Sequence, residues 1–117
     1  MKEKLKILIA DDIEVIAKNM QSIIATNENV EKVHIALDGE DAFIQILNFE
    51  PDIVFTDNQM PKRTGIELIE YIKYFPNLDK KPQFILVTAD RGYNLINKSI
   101  ELGFKLEYKP ISKEKIY

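Results

Sequence analysis

Asp57 stands where a short, mostly apolar run, Ile53-Val54-Phe55-Thr56, gives way to a turn-forming stretch that ends in Pro61. A carboxylate at such a junction is held by a rigid strand and opens onto solvent at the rim of a sheet. Four other reactive side chains occupy equivalent junctions: Asp11 and Asp12 after Ile7–Ala10, Thr88 after Phe84–Val87, and Lys109 after Phe104–Tyr108. Clustered carboxylates repel one another, and a hard divalent cation with a preference for oxygen ligands relieves that repulsion. With a lysine beside the acids and a hydroxyl beyond, the set suits phosphoryl transfer. Cation and lysine would neutralise the equatorial oxygens while a carboxylate attacks in line, leaving an acyl phosphate on an aspartate.

Strands must position these residues. Continuous apolar runs at Ile7–Ala10, Ile53–Thr56 and Phe84–Val87 predict strands covered on both faces. Val33–Leu37, interrupted by His34, predicts one edge, and the alternating Phe104–Tyr108 the other. Helical spacing fills the gaps. Ile13, Ile16, Met20, Ile23 and Ile24 form one stripe; Ala42, Phe43, Ile46 and Leu47 a second, with Asp38 as N-cap. Ile66, Ile69, Ile72 and Lys73 form a third, closed by Pro76, and Gly92–Leu102 gives a fourth helix, ended by Gly103. Alternating strands and helices predict an α/β, doubly wound, five-stranded parallel sheet with right-handed crossovers. In the flavodoxin-like order 2-1-3-4-5, the first and third strands flank the switch point where ligands bind. All five reactive side chains then converge on one rim. From Ile111 a last helix begins and stops after about two turns, short or truncated.

The 117 residues suit one domain, 1–117, and 30% charged residues with 45% hydrophobic ones suit a globular fold. No cysteine is present, which excludes disulfides, thiolate metal sites and cysteine nucleophiles. A net charge of −3 makes direct nucleic-acid binding a poor expectation. The apolar core of the N-terminus is too short for a signal peptide, and no run approaches the ~18 apolar residues of a membrane span. The expected location is cytoplasmic. His34, the single histidine, has no partner motif and is read as structural or solvated.

The ordered set resembles the receiver domain of two-component response regulators. Its marks are Asp11-Asp12, Ala36-Leu37-Asp38-Gly39-Glu40-Asp41-Ala42, Asp57-Asn58-Gln59-Met60-Pro61 with Gly65, Val87-Thr88-Ala89, and Lys109-Pro110. They span nearly the whole chain. The resemblance implies a signalling domain, not an enzyme, in which Asp57 accepts phosphate from a histidine kinase or phosphotransfer protein. It implies Mg²⁺ bound directly by Asp12, through water by Asp11, by Asp57, and by the backbone carbonyl of Gln59. Lys109 would pair with the phosphoryl group, the Lys109-Pro110 bond would be cis, and Thr88 would swing its hydroxyl onto the phosphate, switching a surface around the fourth helix and fifth strand. A homodimer, and an output domain absent from this chain, are further partners the resemblance allows.

One departure stands out. Where the family usually carries a tyrosine or phenylalanine that reports the threonine's position, this chain has Leu106. That favours an alternative reading, a degenerate receiver acting as a constitutive interaction module. Gln59 and Asp90 occupy places that tune phosphate lifetime in the family. A flavodoxin-like cofactor site is disfavoured because two acids follow the first strand, where a phosphate loop would stand. An aspartyl-nucleophile phosphatase would need a second acid two residues after Asp57, where Gln59 lies. Each residue also has a plainer role, as strand-end acid, helix cap, β-branched strand residue or solvated lysine. Their joint placement on one rim is what those roles leave unexplained.

Overall fold

The computed structural model describes residues 4–109. Along them run β1 (Leu5–Ala10), α1 (Glu14–Ile24), β2 (Val30–Ala36), α2 (Gly39–Phe49), β3 (Ile53–Asp57), α3 (Gly65–Lys73), β4 (Gln83–Thr88), α4 (Tyr93–Leu102) and β5 (Lys105–Tyr108). The sheet has the expected order β2-β1-β3-β4-β5, and every pairing is parallel. The short helix expected from Ile111 and the peptide bond to Pro110 lie outside the described residues.

The apolar runs of β1, β3 and β4 are buried because helices cover both faces of the sheet. On one face Leu8, Val54 and Leu86 join Ile46, Leu68, Ile69 and Ile72 in the larger core. On the other, Ile7, Ile9, Phe55 and Val87 meet Ala17, Met20 and Ile24 of α1. The buried stripe of α1 is thus Ala17-Met20-Ile24, not one that begins at Ile13. Ile13 precedes the helix as its N-cap, is 47% exposed and lies at the cleft mouth. Its apolar character mimicked the start of the stripe.

Local signals end the helices where spacing predicted. Asp38 caps α2, its carboxylate accepting the Asp41 N–H at 2.7 Å. Thr64 and Glu67 form a reciprocal capping box at α3, and Gly103 closes α4 at a left-handed φ of 76°. His34 is exposed on β2 and lies flat on Phe49, with ring centroids 3.7 Å apart.

The free edge of β2 is covered from both sides. Gln21 of α1 donates to the Val33 carbonyl at 2.8 Å, and Gln45 of α2 donates to the Ile35 carbonyl at 2.9 Å. At the end of the sheet opposite the predicted site, Asp52 ties three strands. Its carboxylate accepts the Lys6 N–H at 2.7 Å, its backbone exchanges with Lys6 and Gln83, and Lys80 pairs with it at 2.7 Å. Among the described residues, no helix is long and apolar enough to cross a membrane.

Candidate functional site

The carboxyl ends of β1, β3, β4 and β5 meet at one rim and bring together all five residues read from the sequence. Asp11, Asp12 and Asp57 each offer an oxygen within 4.8 Å of the others. Lys109 closes the group, its Nζ 3.4 Å from Asp57 Oδ2 and 3.8 Å from Asp11 Oδ2. Thr88 faces the same open cleft of about 400 Å³, which Asp12, Asp57, Gln59 and Asp90 also line.

Burial separates the three acids. Asp11 is 3% exposed, whereas Asp12 is open to solvent. Burial pushes the Asp11 carboxyl above its ordinary value, and the neighbouring charges of Asp57 and Asp12 add to the rise. The Ile13 N–H, which donates to Asp11 Oδ1 at 3.0 Å, and the Lys109 ammonium oppose it. A hard cation would remove the same penalty. Ligand oxygens around magnesium lie roughly 3–4 Å apart, given bonds of about 2.1 Å. The spacing and the all-oxygen donor set fit such an ion.

The Asp57 carboxylate is oriented from one side. Its Oδ1 accepts the Asn58 N–H at 2.8 Å, which leaves Oδ2 toward Lys109. The loop after β3 is fastened to the helices around it. Gly65 N–H donates to the Asn58 carbonyl at 2.9 Å, and Gly39 N–H to the Pro61 carbonyl at 3.1 Å. Ion pairs from Lys62 to Asp38 and from Arg63 to Glu40 add to the seam with α2. Glycine is required at both contacts, since a Cβ on Gly65 would stand 2.4 Å from the Asp57 carbonyl oxygen and one on Gly39 2.3 Å from that of Arg63.

Among the described residues the opposite lip is tied less. Thr88 Oγ1 accepts the Asp90 N–H at 3.0 Å, and Asp90 Oδ1 accepts the Gly92 N–H at 2.9 Å. Arg91 lies over the Tyr108 ring, 4.2 Å from its centroid. Tyr108 is the register partner of Thr88 across β4 and β5. Leu106 is half-buried and packs on the larger core. The loop therefore meets an aromatic ring of β5, though at position 108 and not 106.

The family model for the response regulator receiver domain matches residues 7–117. The chain belongs to that family. A probable chemotaxis protein CheY of Rhizobium etli is 33% identical over 116 residues, covering 97% of this receiver domain and 88% of that protein. Protein-glutamate methylesterase/protein-glutamine glutaminase relatives also match. One from Desulfotalea psychrophila is 30% identical over 95% of this chain, and one from Syntrophomonas wolfei is 38% identical over 58%. The matched stretches span only 30% and 19% of those two proteins. Among solved structures, the CheX–CheY–BeF₃–Mg²⁺ complex of Borrelia burgdorferi matches with a TM-score of 0.85 at 29% identity, covering 97% of this chain and 84% of that one. An N-terminal domain from Wolinella succinogenes matches with a TM-score of 0.84 at 33% identity, covering 96% and 87%.

Proposed function

We propose that residues 1–117 form one cytoplasmic phosphoacceptor unit of two-component signalling, with Asp57 as the acceptor. The observation that carries this reading is the closed group at the rim: three acids within 4.8 Å, with the Lys109 ammonium against Asp57 and Asp11. The donor would be a phosphohistidine on a kinase or phosphotransfer protein. An Asp57 oxygen attacks phosphorus, the P–N bond breaks, and its electron pair leaves with the imidazole. Asp12 and Asp57, the backbone carbonyl of Gln59, and Asp11 through water would hold Mg²⁺. When bound, the ion supplies charge neutralisation at the phosphoryl oxygens and relieves the repulsion among the acids. Lys109 pairs with the transferred group. The Thr88 oxygen already accepts from Asp90, so its own proton is available to a phosphoryl oxygen.

Movement of Thr88 onto that oxygen would carry the 88–92 loop inward and shift the α4–β5 surface between two states. Arg91 over Tyr108 supports a mechanical link from this loop to β5 in spite of Leu106. Leu106 itself favours the second reading, a constitutive module that binds its partner without regard to phosphate. Incubation with acetyl phosphate and MgCl₂ is expected to label the wild type once and Asp57→Asn not at all. Stoichiometric labelling of that variant would refute the acceptor assignment. Labelling without any change in amide exchange across residues 88–108, or in oligomeric state, would favour the constitutive module.

A further inference from the structure

The carbonyl assigned to the metal belongs to Gln59, an exposed residue. The two residues after Gln59 are held in place: Met60 is buried, and the Pro61 carbonyl accepts amides from Gly39 and Arg63. On the other side a single residue, Asn58, anchors the chain. The Asn58 N–H donates to Asp57 Oδ1 at 2.8 Å. Its carbonyl accepts the Gly65 N–H at 2.9 Å, and its side-chain Oδ1 accepts the Ile66 N–H at 3.1 Å. Gly65 and Ile66 carry the first two amides of α3, which have no partner within the helix. One side chain and its own carbonyl thus grip adjacent amides of a rigid element, while the same residue's N–H sets the Asp57 rotamer. An apolar residue would keep the backbone bonds and lose the grip, leaving the Ile66 N–H without its acceptor.

We infer that Asn58 is a positioning residue of the cleft, its carboxamide locking the Asp57 carboxylate and the Gln59 backbone into one geometry against the start of α3. This inference rests on reading the cleft as a magnesium-dependent phosphoacceptor site. The discriminating comparison is with Thr64→Ala. That change removes the neighbouring cap, the Thr64 Oγ1 bond to the Glu67 N–H at 3.1 Å, from the same helix turn without touching Asp57 or Gln59.

The experiment titrates each variant with MgCl₂ in a calorimeter and follows exchange of the Ile66 amide. Asn58→Ala is expected to weaken magnesium binding about fivefold, the weight of one hydrogen bond, and to speed exchange at Ile66. Thr64→Ala should lower the melting temperature and leave the magnesium affinity within twofold of wild type. Asn58→Asp keeps the acceptor oxygen and should restore Ile66 protection. Should Asn58→Ala fail to fold, Asn58→Ser removes the same carboxamide and takes its place. Wild-type affinity in the Ala or Ser variant, or equal weakening in Thr64→Ala, overturns the role of Asn58 alone. No magnesium heat from the wild type overturns the phosphoacceptor reading, and this inference with it.

Discussion

Asp52 shows how much a single carboxylate outside the cleft can hold. Burial works against its charged form, but the Lys6 N–H and the Lys80 ammonium outweigh burial and keep the carboxyl below its ordinary 3.8. A depressed folded-state value means stability that is present in full above the unfolded value and lost as pH falls through the folded one. Asp52→Ala should therefore cost about 2 kcal/mol in urea unfolding at pH 7. The gap to wild type should narrow below pH 3.8. A gap that ignores pH would mean the charge contributes nothing there. At this same scale the sequence was legible unevenly. Asp11, Asp57 and Thr88 could be placed at the rim because each ends or directly follows an apolar run, Asp12 because it follows Asp11, and Lys109 because it follows an alternating edge-strand pattern. Asn58 could not, because it acts through a bond to an amide eight positions away, which no periodicity marks. Ala17 was hidden behind Ile13, whose larger side chain drew the stripe to the wrong start.

The two loops that frame the cleft differ as elements. The segment after β3 is fastened to α2 and α3 by backbone bonds and ion pairs, and Gly39 and Gly65 permit the close approach. Among the described residues, the segment after β4 is held by its own turn and by Arg91 on Tyr108. A cation–π contact at an exposed site is worth about 0.5–1 kcal/mol, or two- to fivefold in a local opening equilibrium. Arg91→Ala should therefore exchange its amides at 89–92 about two to five times faster by hydrogen–deuterium exchange, with little change in global unfolding. Identical rates would show that the stack does not restrain the loop. Strands, helices and their order were legible as elements, because apolar runs and caps are local signals. The relative fastening of the loops was not, because it depends on which helix start lies beside which loop once the sheet has formed.

For the whole molecule, the exposed edge of a sheet invites a second chain. Here β2 presents one such edge, and Gln21 and Gln45 occupy two of its carbonyls, those of Val33 and Ile35, from opposite faces. Removing both in Gln21→Ala/Gln45→Ala is expected to cost about 1–2 kcal/mol. It should also raise association at high concentration above that of wild type, as read by sedimentation velocity. Sedimentation unchanged from wild type would show that the glutamines do not guard the edge.

The unequal fastening around the cleft has a consequence for where force can travel. One lip is an anvil, welded to α2 and α3; the other is a lever whose far end is α4. Along that helix Tyr93, Ile96 and Ile100 stand exposed at 84%, 39% and 77%. If the proposed phosphoryl transfer pulls on this cleft, the looser lip is the one expected to yield, and the displacement would reach a neighbour through this greasy ridge.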